Sequence, residues 1–236
     1  MFNEELLWNI SLMLLCYLYI LLIILVSNNM DKLLHIPRKT SRKFLHAMIG
    51  NLPFIIPFFT SNIYPVMVAA PFILVTFLAS PFAPFKDITR KIKGLADITE
   101  KGHNLGLIFY AISYTFLALF FASKAYIMAA GILPMAYGDA AASIIGERYG
   151  RREYRLIADK SLEGSAAMFF ASFFSFTISL AFFSLLYSFS FFDKFPIAIA
   201  VATVATAVEG LSPMGFDNLT VPTFSALTFL LLNGGV

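Results

Sequence analysis

The chain has 236 residues, 59% of them hydrophobic and only 13% charged, with 27 phenylalanines and a mean hydropathy of +0.79. Soluble domains carry about 25% charged residues. The composition therefore excludes a water-soluble enzyme and points to one all-α integral membrane domain over residues 1–236, a polytopic transmembrane helix bundle. The net charge of +3 is small, and the single cysteine, Cys16, excludes an internal disulfide and a cysteine-based metal site.

A span needs about 20 mostly apolar residues. In chain order the apolar runs are 6–26, 44–59, 63–82, 105–121, 125–145, 164–187 and 195–208, and a shorter one covers 221–232. The expected count is thus seven to eight spans. Glu4 and Glu5 precede the first run and no basic stretch does, so residues 1–27 read as a first span and not as a cleaved signal. Three alternate loops, 27–43, 83–104 and 146–163, carry 15 of the 17 lysines and arginines; the opposite side keeps only Lys124 and Lys194. By the positive-inside rule those loops are cytoplasmic and the N-terminus lies outside.

Polar residues of unusual kind gather on that same side. At the start of the second run, Arg42 and Lys43 suit phosphate, and Lys43 and His46 share a helix face at i and i+3. His46 suits phosphate binding or proton transfer near neutral pH. His103 and Asn104 stand at the start of the fourth run, where a polar helix cap is the simpler reading. Residues 138–165, GDAAASIIGERYGRREYRLIADKSLEGS, hold the densest cluster. Asp139 lies inside an apolar run, where an ionised group is costly unless it is paired, coordinated or wetted. After Gly138, residues Asp139, Ala142, Gly146 and Gly150 follow roughly helical spacing, and Asp139, Ser143 and Gly146 fall on one face at i, i+4 and i+7. Small residues there let a helix or a ligand approach the backbone. Gly146 and Gly150 bracket a turn whose amides suit phosphate. Lys160, Ser161, Glu163 and Gly164 open the next span, and a helix N-terminus favours anions. Late in the chain Glu209, Asp217 and Asn218 flank a Pro/Gly turn. Oxygen groups of this kind suit Mg²⁺, which commonly takes one or two carboxylates plus substrate phosphates. No GxxxxGK[ST] loop occurs.

These residues resemble the CTP-dependent polyprenol kinases, the integral membrane family that includes dolichol kinase and the phytol kinases. The family's nucleotide pattern, DxxAxxxGxxxG followed by a basic spacer and K[ST]xEG, matches Asp139, Ala142, Gly146, Gly150, Lys160, Ser161, Glu163 and Gly164. Arg42, Lys43 and His46 are similar to its RKxxH element. Glu209, Asp217-Asn218 and Pro222 are similar to its late acidic element. The likeness covers about residues 40–225, the motif-bearing bundle. It implies transfer of the γ-phosphoryl group of CTP to an isoprenoid alcohol (polyprenol, phytol or geranylgeraniol type) at the cytoplasmic membrane face, with UTP as an alternative donor.

On this resemblance Lys160, Arg42 and Lys43 hold phosphate, and Asp139, Glu163 and Asp217 hold Mg²⁺. Asp139, Glu209 or His46 takes the alcohol proton. The Phe-rich spans form a groove for the lipid tail. Membrane lipids surround the bundle, a homo-oligomer is compatible with it, and no nucleic-acid partner is expected. Two other readings compete. One is a membrane cytidylyltransferase that makes a CDP-activated lipid. The other is a transporter, which the one-sided placement of the charges disfavours.

Overall fold

A computed structural model of the chain describes residues 2–84, 105–157, 159–213 and 215–235. His103 and Asn104, with the basic residues of the 86–101 stretch, lie outside the described residues. The centre of the molecule is α6 (Ala125–Leu133). From Ile127 to Ala136 every residue is buried. A helix that is hydrophobic all round belongs inside a bundle, and the run of Ala129, Ala130 and Gly131 allows it there. The backbone carbonyl of Pro222 lies so close to Gly131 that an added Cβ would sit 2.6 Å from it.

Around this axis run α1 (Phe2–Leu34), α2 (Arg38–Ile49), α3 (Ile63–Ala69), α4 (Pro71–Ala79) and α5 (Gly106–Phe121). After α6, the chain continues through a π-helical turn (Pro134–Gly138) into α7 (Asp139–Tyr149). Then come β1 (Glu153–Arg155), β2 (Asp159–Ser161), α8 (Leu162–Ser184), α9 (Phe191–Leu211) and α10 (Asp217–Leu232). Four described helical stretches are long and apolar enough to cross a membrane: Asn3–Leu34, Gly106–Tyr149, Leu162–Ser184 and Phe191–Leu211. The outer faces of α1 and α8, with Leu14, Leu18, Leu22, Phe170 and Phe174 exposed, are the broad apolar surface of a lipid-facing bundle. An all-α membrane architecture is thus what the composition dictated.

Several segment boundaries differ from the sequence reading. The run 44–59 is not one helix. α2 ends at Ile49, and two 3₁₀ turns at Leu52–Phe54 and Ile56–Phe58 follow. Pro53 and Pro57 lack the N–H that a continued α-helix needs. The run 63–82 is likewise two short helices, α3 and α4, divided before Pro71. The first helix continues to Leu34, so most of the expected 27–43 loop is helical; only His35, Ile36 and Pro37 break it, with His35 at φ 54. Runs 105–121 and 125–145 are joined by a 3₁₀ turn at Ala122–Lys124, where Phe121 and Lys124 leave helical geometry. The 221–232 run belongs to the 16-residue α10, about 24 Å long at 1.5 Å per residue and shorter than a full span.

Polar side chains tie the far end of the bundle. Asn9 is fully buried in α1; its amide donates to Thr60 Oγ1 at 2.7 Å and accepts the Thr60 N–H at 3.0 Å. Trp8 Nε1 donates to the Phe58 carbonyl at 2.9 Å. These bonds satisfy groups that the proline-rich turns leave free.

Candidate active site

The site lies where α2, α5, α7, the β-hairpin, α9 and α10 come together. α2 and α7 run antiparallel and are joined by two charged rungs. Lys39 Nζ meets Glu147 Oε1 at 2.5 Å, and one turn deeper Lys43 Nζ donates to Asp139 Oδ2 at 2.7 Å. The i, i+4 spacing of Lys39 and Lys43 places both on one face. The outer rung is half-exposed and worth little by itself. The inner one is largely buried, with side-chain exposures of 17% and 11%. His46, a turn deeper again, places Nε2 3.9 Å from Asp139 Oδ2. That nitrogen is buried without a hydrogen-bond partner. Arg42 lies half-buried on the same helix.

The second half of the site depends on the hairpin. Its register pairs Tyr154 with Lys160, so the two side chains share a face. Tyr154 bonds Ser165 Oγ at 2.7 Å and lies against Gly210, where an added Cβ would come within 3.0 Å of its hydroxyl. Seated this way, the hairpin directs Lys160 Nζ onto Glu209 Oε1, which it contacts directly. Glu209 is only 2% exposed although it stands near the end of α9. Burial pulls the Lys160 pKa down. The Glu209 carboxylate, with Asp217 and Asp139 farther off, more than offsets that and holds it above the ordinary lysine value. Lys160 is therefore a cation throughout the physiological range.

α10 supplies the last groups. Gly215, at φ 86, makes the turn that lets Asp217 open the helix. Asp217 lies within electrostatic reach of Asp139, Lys43 and Lys160. Its Oδ1 accepts from the Asn218 N–H at 2.8 Å and from the Asn218 side-chain amide at 3.2 Å. Ser113 of α5 fixes the Asn218 carbonyl at 2.7 Å. Asn218 Oδ1 remains buried without a partner.

Thus Lys43, His46, Asp139, Lys160, Glu209, Asp217 and Asn218, from five separated elements, form one cluster. Other expected members do other work. Glu163 is half-buried, and its carboxylate accepts the backbone N–H groups of Arg151 and Arg152 at 3.1 and 3.3 Å. It braces the loop before the hairpin and does not join Asp139 and Asp217. The Gly150 N–H is donated to the Gly146 carbonyl at 2.9 Å, and the Gly164 N–H to Ser161 Oγ at 3.1 Å. Those amides are therefore engaged within the chain, and Ser161 is the N-cap of α8. Ser143 donates to Glu147 at 3.0 Å on the rim. Gly138 faces Met168 and Ser172 of α8, leaving no room for a side chain.

Gly146 and Gly164 are where α7 and α8 close on each other. A Cβ on Gly164 would lie 3.0 Å from Ser161 Oγ, 3.1 Å from the Ala142 carbonyl and 3.3 Å from Gly146 Cα. Two of those atoms are backbone and cannot step aside. Gly164→Ala is expected to lose stability: such overpacking costs about 1–3 kcal/mol, only partly offset by the roughly 1 kcal/mol helical advantage of alanine over glycine. Gly210→Ala meets only the movable Tyr154 hydroxyl and should cost less. Thermal unfolding in one detergent compares the two.

Whether the cluster suits a divalent cation follows from its donor set. Among the described residues no three His, Cys, Asp or Glu side chains form a ready-made metal group. The unpartnered Asn218 Oδ1 beside Asp217, near Asp139, nevertheless offers hard oxygens of the kind Mg²⁺ takes. That cation usually needs only one or two carboxylates when phosphates supply the rest. The residues fit a metal that arrives with a phosphorylated substrate.

Comparison with characterised proteins adds the decisive observation. The chain is 32% identical over 217 residues to a phytol kinase of Synechocystis sp., covering 89% of this chain and 86% of that one. It belongs to the phytol and dolichol kinase family. It is also 30% identical over 203 residues to the dolichol kinase of Saccharomyces cerevisiae, covering 78% of this chain and 35% of that longer one. To a probable chloroplastic phytol kinase of Oryza sativa it is 29% identical over 201 residues, covering 80% and 65%. No family model matches the chain, and no solved structure does. Tyr110, Tyr154 and Glu147 border this cluster but carried no local sequence signal. Each acts on a residue contributed by a different segment.

Proposed function

We propose that the protein transfers the γ-phosphoryl group of CTP to an isoprenoid alcohol, giving the isoprenyl monophosphate and CDP. The observation that carries this reading is the buried alternation of two lysines and three carboxylates, Lys43–Asp139 and Lys160–Glu209 with Asp217 beside them. Phosphoryl transfer depends mainly on positioning and on neutralising charge. Without substrate each lysine is held by a carboxylate. When the triphosphate enters, Lys43 and Lys160 turn to phosphate oxygens, assisted by Arg42, through charge-assisted bonds. Asp139, released from Lys43, would hold Mg²⁺ together with Asp217 and the Asn218 side-chain oxygen. When bound, that cation would supply charge neutralisation and polarisation at the γ-phosphoryl group. The alcohol oxygen forms the new bond to the γ-phosphorus, the bond from that phosphorus to the β-bridging oxygen breaks, and CDP departs. The hydroxyl proton passes to Asp139, to His46 Nε2 beside it, or to Glu209.

The test is purified protein in detergent with labelled CTP and an isoprenoid alcohol, with UTP, ATP and GTP run in parallel. CDP and an alkali-stable lipid monophosphate are the expected products. Release of pyrophosphate with a cytidylated lipid would assign attack at the α-phosphorus and make the protein a cytidylyltransferase.

The basic loops support a cytoplasmic placement of the cluster by the positive-inside rule. The hairpin lies at the cluster and the Asn9–Thr60 bonds lie at the other end of the bundle. In a Cys16→Ser background, Asn62→Cys is expected to react with a membrane-impermeant thiol reagent from outside the cell. Arg152→Cys should react only after the membrane is opened; labelling of both from one side would reverse this assignment.

A further inference from the structure

Beside the charged cluster lies an apolar groove walled by α1, α2, the 3₁₀ turns, α3, α4 and α5, with Met128 of α6 also in its lining. Its walls include Cys16, Ile20, Leu45, Val68, Tyr110 and Tyr114. The oxygens that border it are already bonded elsewhere. Thr76 Oγ1 donates to the Phe72 carbonyl at 2.7 Å, Tyr110 to the His46 carbonyl at 3.1 Å, and Tyr114 to the Ile49 carbonyl at 3.0 Å. A cavity of this kind offers nothing to a nucleotide, a sugar or ordered water; it suits hydrocarbon.

The groove shares a wall with the cluster. Leu45 is part of its lining and adjoins His46 in α2. The Tyr110 ring, also in the lining, meets the imidazole edge-on at 4.3 Å. On the other side of that imidazole, Nε2 is buried, unpartnered and 3.9 Å from Asp139. The apolar path therefore ends at an unsatisfied polar atom next to the phosphate-handling charges. In the Phe-rich α8, by contrast, Phe176 and Phe183 fill the core while Phe170 and Phe174 face outward.

We infer that this groove is the tail-binding channel of the alcohol substrate, with the hydroxyl seated at His46 Nε2. This rests on the kinase reading above. The occupant is a methyl-branched hydrocarbon chain bearing one terminal hydroxyl. His46 is then a positioning residue for that hydroxyl as much as a proton acceptor, and Tyr110 fixes its ring. The channel is built by α1 to α5, whereas the anion-handling groups Lys160, Glu209 and Asp217 come from the hairpin, α9 and α10. The two substrates thus enter from different halves of the chain and meet at Lys43, His46 and Asp139.

A diazirine-bearing isoprenoid alcohol, photolysed in the full-length wild-type protein and mapped by peptide mass spectrometry, tests this directly. Adducts that unlabelled alcohol competes away are expected within residues 16–24, 45–56, 65–76 or 107–114. Competed adducts on the outward faces of α8 and α9, or none in the groove segments, would overturn the channel. A second measurement uses Ala111→Phe, which places a ring into the lining. The KM for the alcohol should rise at least about tenfold, the scale on which an apolar pocket discriminates, with the KM for CTP unchanged. Equal KM values for variant and wild type would also count against the channel. Phosphorylation of the probe alcohol with adducts elsewhere removes only the channel. Failure to phosphorylate it with any nucleotide removes the kinase reading itself.

Discussion

Asp139→Asn is expected to slow CDP release by at least about a hundredfold, the loss seen when one key electrostatic contact is removed, or about 2.7 kcal/mol of barrier. The carboxylate touches Lys43, neighbours His46, and lies within reach of Lys160 and Asp217. No other residue of the cluster links both lysines and the imidazole. Asparagine keeps the size of the side chain, and its amide oxygen can still accept from Lys43. The fold should therefore survive, with a thermal midpoint near that of the wild type in the absence of nucleotide. Normal turnover in the variant would take Asp139 out of the chemistry. Collapse of the substrate-free protein would make the Lys43 pair a structural one.

Lys160→Ala has a double effect that sequence alone does not foretell. It should abolish measurable CTP binding and turnover together, because the ammonium serves phosphate in ground and transition states. It also strands Glu209, whose side chain is only 3% exposed. Removing one partner of a buried pair costs about 3–5 kcal/mol; Lys160 itself is 22% exposed, which places the cost toward the lower end. The combination Lys160→Met with Glu209→Gln removes both charges at once. It should recover most of the lost stability and none of the activity. If the double variant is as unstable as Lys160→Ala, the pair is not what stabilises this corner. Arg151→Ala and Arg152→Ala should matter less, since their backbone amides, held by Glu163, are what the loop uses.

Much of the charged cluster was legible in one dimension because each half carries a local rule. An ionisable residue inside an apolar run must find a partner, which singled out Asp139. The i, i+3 spacing put Lys43 and His46 on one face. The glycines at 146, 150 and 164 were equally visible, but their purpose was not. Their positions suit a phosphate-binding backbone and a close helix contact alike, and only the packing of α7 on α8 separates the two. The bonds of Glu163 were hidden for a related reason. Three residues after Lys160 it belongs to the same motif, yet the first turn of α8 brings its carboxylate to the loop amides.

By itself the sequence determined the membrane character, the helical class and most of the residues of the charged cluster, because hydropathy and charge act through residue identity and short-range spacing. Only the tertiary structure decided the rest. Where helices break, and that a hairpin aims Lys160 at Glu209, follows from backbone hydrogen bonding across segments. The pairing of Lys43 with Asp139, 96 residues apart, and the junction of Tyr110 with His46, 64 apart, arise from packing around α6. The apolar groove is the clearest case. It is an empty space between five helices, and no residue in the sequence encodes a space until its neighbours are in place.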